Sequence, residues 1–184
     1  MSSEIDSRAI NTSLADAWVL NVLENTEVIR QVRQPGKLNL NRLRRQIDAA
    51  GIPSGNVDRS TLISSEAVHQ KLPLELPGEA MTVASVLAFE TLGESALFFG
   101  HSMRVARHGI GRRLDAVDGE KVIRLLRAVF IATCVLRSAK EARSYLKTPN
   151  LALGGMTPLH LLKTAEGSQQ LLNELQSHMD CGPV

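Results

Sequence analysis

The sequence predicts an all-α fold: a helical N-terminal and middle region, including a possible degenerate helix-turn-helix, followed by a C-terminal helical domain. Apolar residues recur at helical spacing in several stretches, and no segment alternates with the period of two that marks a strand. Hydrophobic residues make up 43% of the 184 residues while aromatic residues make up only 3%. The core must therefore be built from Leu, Ile, Val, Ala and Met, a composition that favours packed helices.

Composition also limits the classes of function that the protein can have. A net charge of +2 is too small to indicate nucleic-acid binding by itself, so any basic surface must be local. No apolar run approaches the roughly 20 residues of a membrane span, and no signal-peptide pattern opens the chain. Cys134 lies in an apolar run and is expected to be a small core residue. We expect a cytoplasmic protein that binds no membrane and needs no metal or cofactor.

The sequence pattern of the N-terminal third predicts two helices and a linker. The first helix runs over 13–34, with Ser13 as N-cap, and Pro35-Gly36 ends it. A short basic helix follows, from Asn39 or Asn41 to Ala50. The stretch 51–78 is rich in Pro and Gly, with room for one helix over 59–70, and we interpret it as a linker. Glu75 and Glu79, beside its prolines, are expected to be solvated.

The middle region predicts one or two helices from Met81 to Phe98, interrupted near Gly93. It continues into "GHSMRVARHGIGRRLDAVDGEK", where Gly109 and Gly111 interrupt any recognition helix. The basic side chains of this stretch could contact phosphates, or form a solvated face, or face an acidic partner. They are His101, Arg104, Arg107, His108, Arg112 and Arg113.

The C-terminal region predicts three further helices. Asp118 is expected to cap a long helix whose apolar stripe comprises Val122, Leu125, Leu126, Val129, Ala132 and Val135. Ser138 and Glu141 form a capping box that opens a helix ending at Lys147. A last amphipathic helix runs from Gly167 to Met179.

Between these helices lies "TPNLALGGMTPLHLLKT", residues 148–164. Pro149 ends the preceding helix, and Asn150 suits a turn or a left-handed position. Gly154-Gly155 permits positive φ, and Thr157 caps a short helix with Pro158 at its first position. Leu151 and Leu153 are expected to fill the groove between helices, and His160 to be a half-buried packing residue. Local physics alone thus predicts a corner between helices.

The order of these signals resembles the C-terminal toxin-binding domain of the Xre/MbcA/ParS antitoxin family over about 143–182. That family's pattern is an aromatic-Leu pair, Pro-Asn, Leu-Gly-Gly, Thr-Pro followed by Leu-x-x-Leu, a Thr and a Gly that opens the last helix. Tyr145 stands where the family usually has Trp. The matching residues are Tyr145-Leu146, Pro149-Asn150, Leu153-Gly154-Gly155, Thr157-Pro158, Leu159, Leu162, Thr164 and Gly167.

The resemblance implies a type II antitoxin that neutralises a RES-domain toxin by covering its NAD-binding active site. Such toxins degrade NAD or transfer its ADP-ribose to a target. The toxin-binding residues so implied are Asn150, Leu151, Leu153, Gly154, Gly155, Met156, Asp180, Cys181, Gly182, Pro183 and Val184. The predicted domains are an extension and linker (1–78), a helix-turn-helix-like or dimerisation region (79–117) and the toxin-binding domain (118–184).

Many members of that family repress their own promoter, so DNA binding through Arg104, Arg107, Arg112 and Arg113 is the alternative function: a transcriptional regulator without a toxin partner. We find no constellation that could carry catalysis and predict that the chain is not an enzyme. A homodimer, in addition to the complex with the toxin, is predicted from the apolar residues of the middle helices, Leu87, Phe89, Phe98, Phe99 and Phe130.

Overall fold

The computed structural model describes residues 14–33, 40–49, 76–100 and 111–180, in which every regular element is a helix. The helices are α1 (Leu14–Glu24), α2 (Thr26–Arg33), α3 (Leu40–Ala49), α4 (Glu79–Ala88), α5 (Leu92–Phe99), α6 (Ala116–Leu136), α7 (Ala139–Lys147), α8 (Pro158–Leu161) and α9 (Ala165–Asp180), with a 3-10 turn at Leu151–Leu153. The all-α prediction is confirmed. The predicted Ser13 cap, the Pro35-Gly36 stop and the helix over 59–70 fall outside the described residues.

The predicted first helix is divided in two at Asn25. The side-chain oxygen of Asn25 accepts hydrogen bonds from the backbone N–H groups of Glu27 and Val28, both at 3.1 Å. Asn25 therefore caps α2, and a capping side chain inside an apolar periodicity ends one helix and starts the next. The short basic helix α3 lies where the sequence predicts it.

The middle region forms the two helices α4 and α5. Thr91 caps α5 by accepting a hydrogen bond from the N–H of Glu94 at 3.4 Å, so the break comes just before Gly93. Gly100 ends α5 with a φ of 84°, a left-handed conformation that glycine adopts without steric cost. Every residue of α4 is buried, including Glu79, which contradicts its predicted solvation.

The long helix α6 begins earlier than predicted. Asp115, not Asp118, is its N-cap, because the Asp115 carboxylate accepts a hydrogen bond from the N–H of Asp118 at 2.8 Å. Asp118 lies in the first turn instead, where the helix dipole favours a carboxylate, and its Oδ1 is 3.3 Å from Nζ of Lys121.

Helix α6 is the centre of the fold and packs against α1, α4, α7 and α9. Its predicted apolar stripe is confirmed: Val122, Leu125, Leu126, Val129 and Ala132 are buried, and Val135 is partly buried. The 21 residues of α6 give it a length of about 32 Å. It therefore contacts both the N-terminal helices and the C-terminal ones.

Helix α1 is joined to α6 by a buried ion pair and an aromatic contact. Nε of Arg127 donates to Oδ1 of Asp16 at 2.7 Å, and the Asp16 side chain is only 3% exposed. The rings of Trp18 and Phe130 lie 5.2 Å apart, within the range of favourable aromatic pairs. The N-terminal helices thus share one core with the C-terminal half. The predicted domain boundaries stay predictions.

The apolar side chains from which a dimer is predicted are satisfied inside a single chain. Leu87, Phe89, Phe98, Phe99 and Phe130 are all between 0% and 6% exposed. Phe98 packs against both Phe89 and Phe99, with ring centroids 5.8 and 4.9 Å apart. The structure therefore removes this reason for expecting a dimer, and the dimer itself stays a prediction.

Across the described parts of the chain, no single helix has the length and apolar character to cross a membrane. A pair that meets both criteria together, Glu79–Ala88 with Gly93–Phe99, is bent by 117°. All of Glu79–Ala88 is buried in the protein core.

Candidate functional site

The corner, which we define as residues 148–157, begins where α7 ends. Thr148 has extended backbone, with φ −90° and ψ 133°, as expected for a residue that precedes proline. Its N–H donates to the carbonyls of Ser144 and Tyr145, and its hydroxyl also donates to Ser144. Two carbonyls in the last turn of α7 are therefore satisfied by Thr148, where the chain leaves the helix.

Asn150 organises the corner through four hydrogen bonds. Its side-chain oxygen accepts from the N–H of Ala152 at 2.9 Å, and its carbonyl accepts from Leu153 and Gly155 at 3.0 and 2.9 Å. Its own N–H donates to the carbonyl of Met156 at 3.1 Å. Asn150 thus forms the predicted turn, but with an extended φ of −120° instead of a left-handed one.

The left-handed positions are taken by the two glycines, as predicted. Gly154 and Gly155 have φ of 67° and 78°, and both are exposed. A residue with a Cβ would be strained at either position. The glycines therefore allow the chain to turn back so that the backbone of Met156 reaches Asn150.

The corner divides its apolar side chains between the core and the surface. Leu153 is 1% exposed and anchors the corner in the core, but Leu151 is 93% exposed, so the prediction that it fills the interhelical groove is wrong. Met156 is 39% exposed. In a three-residue 3-10 turn, neighbouring side chains point in different directions, so only one of the two leucines reaches the core.

The exit from the corner follows the predicted capping. Thr157 Oγ1 accepts from the N–H of His160 at 3.2 Å, and Pro158 occupies the first turn of α8. His160 is exposed, so its predicted half-buried packing role is wrong. Thr164 Oγ1 then accepts from the N–H of Gly167 at 3.0 Å and caps α9, which begins two residues before the predicted start.

Gly167 marks a close contact between α9 and the end of α8. A Cβ built on Gly167 would lie 2.3 Å from the carbonyl oxygen of Leu161 and 2.9 Å from its carbonyl carbon. Only glycine fits this approach, and Leu161, Leu162, Leu171 and Leu175 are buried around it. The first turn of α9 is thereby held against α8, the helix that follows the corner.

Tyr145 lies in the last turn of α7 and is half-buried. Burial raises the pKa of the phenol, the nearby Asn150 side chain opposes that shift, and the charge of Glu174 adds to it. Among the described residues, no group meets the usual hydrogen-bond distance and angle at the Tyr145 hydroxyl, although the Asn150 side chain lies close to it. The ring therefore contributes mainly apolar contact at the base of the corner.

The structure separates the predicted site residues into three groups. Those from Asn150 to Met156 meet in the corner. Asp180 is the last residue of α9, and 181–184 lie outside the described residues, as do Arg104 and Arg107. Arg112 and Arg113 are exposed on a turn that follows Gly111.

One buried contact outside the corner could not be seen in the sequence. Glu79, expected to be solvated, is 0% exposed and accepts from Nε of Arg33 at 2.6 Å and from the N–H of Gly111 at 3.3 Å. These contacts span 46 and 32 residues, beyond any local pattern. Among the described residues, no three His, Cys, Asp or Glu side chains come together as a metal site would require.

Residues 125–178 match the family model of the antitoxin Xre/MbcA/ParS C-terminal toxin-binding domain. The match begins inside α6, includes the whole corner, and covers a little under a third of the chain. No curated protein and no solved structure matches the chain. The resemblance read from the motif order is confirmed, and the match indicates an antitoxin role exercised by binding a toxin.

Proposed function

Residues 125–178 match the Xre/MbcA/ParS toxin-binding domain, and from this match we propose that the chain neutralises a RES-type toxin by covering its NAD-binding active site. The toxin either degrades NAD or transfers its ADP-ribose, and the antitoxin acts by binding alone. The observation that carries the proposal is the corner inside the matched region, which presents an apolar side chain on a rigid backbone.

Leu151 is the centre of the proposed contact. A leucine that is 93% exposed contributes nothing to its own fold, whereas burial against a partner would stabilise the complex by about 1.5–3 kcal/mol. Met156, 39% exposed, adds a flexible side chain that adapts to an apolar partner surface. The carbonyl of Leu151 accepts from the N–H of Gly154, and the carbonyl of Met156 accepts from the N–H of Asn150, so both residues belong to one hydrogen-bonded turn.

The rigidity of the corner favours tight binding. Asn150 and the two left-handed glycines hold the backbone before any partner arrives, so little conformational entropy is lost on association. Leu153 contributes indirectly, because it anchors the turn in the core, and a contact of its own with the toxin stays a prediction.

The C-terminal residues Asp180 to Val184 are proposed as a second contact. Asp180 ends α9 and 181–184 come next in the chain, and the first turn of α9 packs against Leu161 of α8 at Gly167. Their small side chains suit a narrow cleft. The terminal carboxylate could pair with arginines that hold NAD phosphates, since the guanidinium fork binds carboxylate and phosphate in the same geometry.

The experiment is a titration of toxin-catalysed NAD consumption with the antitoxin and two matched leucine variants. Leu151→Ser should raise the concentration needed for half-inhibition by about 10- to 100-fold, the range that follows from the burial of one leucine. Leu97→Ser is the control, because Leu97 is 80% exposed but lies on α5, outside the matched region. It should inhibit like the unaltered chain.

Equal inhibition by the two leucine variants would remove the corner from the interface. Deletion of 181–184 should also weaken inhibition while leaving the helical circular dichroism unchanged, because the deleted residues follow the last helix. Full inhibition by the truncated chain would show that 181–184 are not part of the inhibitory contact and that the corner alone inhibits.

The alternative function, a DNA-binding regulator without a toxin, has one structural observation in its favour: Arg112 and Arg113 are exposed on an ordered turn. A neighbouring gene that encodes a RES domain would favour the antitoxin proposal. A toxin-binding domain fits a protein that regulates an enzyme by binding it. The absence of catalysis by the chain itself stays a prediction.

A further inference from the structure

The segment that joins the end of α6 to the corner is rich in basic side chains. Its charged residues are Arg137, Lys140, Glu141, Arg143 and Lys147. Lys147 is paired, because its Nζ lies 3.5 and 3.7 Å from two glutamate carboxylates of the middle region. Arg137, Lys140 and Arg143, which we call the basic cluster, form no ion pair within the part of the chain that the structure describes.

The basic cluster lies at the junction of α6 and α7 and along the outer side of α7. Arg137 ends α6 and is exposed, and Lys140 is exposed in the first turn of α7. Arg143 is partly exposed, whereas Ala142 and Leu146 are buried on the side of α7 away from Lys140. Residues three apart are neighbours on the surface of a helix, so Lys140 and Arg143 belong to one patch that begins beside Arg137.

Each residue of the basic cluster occupies a position that is locally unfavourable for it. Arg137 has a φ of 55° and is the one left-handed residue other than glycine among those that the structure describes. A cation suits the end of a helix, but glycine adopts this backbone conformation at a lower cost. Lys140 lies in the first turn of α7, where the helix dipole favours acidic side chains. Arg143 lies four residues before Lys147, which carries the same charge.

We propose that the basic cluster docks on an acidic surface of the toxin beside its NAD-binding pocket. The inference rests on the proposed antitoxin function and adds a contact whose chemistry differs from that of the corner. A pocket that holds the phosphates of NAD is itself positively charged, so the acidic surface lies outside it. Helix α7 leads directly into the corner, because the hydroxyl and the N–H of Thr148 both donate to the Ser144 carbonyl. The basic cluster therefore meets the rim of the pocket while the corner covers its opening.

The two surfaces should affect different steps of binding. Charges at the rim of an interface act mainly on the association rate, because they attract the partner before contact. Salt screens this attraction, over about 10 Å at 0.1 M and about 3 Å at 1 M. The corner presents apolar side chains, and the loss of such a contact changes mainly the dissociation rate. One kinetic measurement at several salt concentrations therefore separates the basic cluster from the corner.

The test measures the association and dissociation rates of the full chain with purified RES-type toxin by surface plasmon resonance. Lys140→Glu should lower the association rate by about 3- to 10-fold at about 50 mM salt and leave it unchanged at about 1 M. The same substitution places an acidic residue in the first turn of α7, three residues before Arg143, so the melting temperature should stay equal or rise. A slower association is then not due to a damaged fold.

Arg45→Glu is the matched control, because it changes the net charge by the same amount. Arg45 is exposed on α3, outside the family match, and donates to the carbonyl of Asn41 in its own helix. This variant should associate within about twofold of the rate of the unaltered chain, since its charge lies far from the docking surface in the sequence and in the fold.

Arg137→Gly is the second test, because binding and stability should change in opposite directions. Glycine relieves the left-handed backbone, so the variant should be at least as stable as the unaltered chain, yet it should associate more slowly at low salt. Arg137→Lys keeps the charge and should retain the association rate.

Equal association rates for Lys140→Glu and Arg45→Glu would refute the role of the basic cluster, and a loss of inhibition by Leu151→Ser would then still support the corner. Absence of any binding by the unaltered chain would refute the antitoxin proposal and this inference with it. If Lys140→Glu weakens binding to a random-sequence DNA duplex but not association with the toxin, the basic cluster serves a nucleic acid and the proposal is overturned.

Discussion

Replacement of Gly167 by alanine should destabilise the protein although alanine is the better helix former. The added Cβ would meet the backbone of Leu161 at 2.3 Å, closer than Cβ contacts in proteins allow, and no side-chain rotation can relieve a backbone clash. Helix α9 must move away from α8, which loosens the packing of Leu162 and Leu171, both 0% exposed. Overpacking of this kind costs about 1–3 kcal/mol.

The gain from alanine in a helix, at most about 1 kcal/mol, offsets only part of that cost. We expect a net loss of about 1–2 kcal/mol, which for a chain of this length lowers the melting temperature by about 2–8 °C. Gly93→Ala is the control, because its Cβ would meet only Thr91 Oγ1, at 3.8 Å, in the first turn of α5. It should unfold at the same temperature or slightly higher.

Thermal unfolding followed by circular dichroism measures both variants. If Gly167→Ala has the same melting temperature as Gly93→Ala, the close approach of α9 to α8 is not a feature of the protein in solution. Because Gly167 holds α9 against α8, which directly follows the corner, the same variant should weaken toxin inhibition more than Gly93→Ala does.

Three further predictions concern single side chains. Arg137 ends α6 with a φ of 55°, so Arg137→Gly should raise the free energy of unfolding by up to about 1 kcal/mol. Urea titration measures this free energy. A decrease in it would contradict the left-handed conformation of this cap. Burial raises the pKa of the Cys134 thiol to about 11, so the thiolate fraction at pH 8 is lower than in an unfolded chain. Iodoacetamide should therefore alkylate Cys134 more slowly in the native protein than in urea. Equal rates in the two conditions would refute this burial. The hydroxyl of Tyr145 is buried without a partner among the described residues, so Tyr145→Phe should be at least as stable as the native chain; a loss above about 1 kcal/mol would reveal a hydrogen bond to that hydroxyl.

The sequence predicts the corner well wherever one residue determines the local geometry. Thr157, Pro158 and the two glycines each have a steric or hydrogen-bonding preference that only one conformation satisfies, and the structure shows them in it. Asp115 and Asp118 show the limit of this reasoning. Both are good caps three residues apart, and the choice between them depends on where the apolar stripe meets its partners, which the sequence does not reveal.

Other features depend on distant contacts and cannot be predicted from local pattern. Two leucines two residues apart look alike in the sequence, yet Leu153 is buried and Leu151 exposed, because the orientation of the turn is set by the helices around it. The burial of Glu79 depends on Arg33, 46 residues away. A carboxylate beside prolines is normally solvated, and only the assembled fold supplies the partner that allows it to be buried.

The ion pair between Asp16 and Arg127 limits how far the toxin-binding module can be transplanted. The family match starts at residue 125, in the middle of α6, but the face of α6 that carries Arg127 and Phe130 is covered by α1, more than a hundred residues earlier. A chimaera that receives only residues 125–178 would inherit an arginine without its carboxylate and an aromatic ring without its neighbour. A transferred segment of this chain must therefore include α1 together with α6 to keep the ion pair and the aromatic contact, which lie partly outside the residues of the family match.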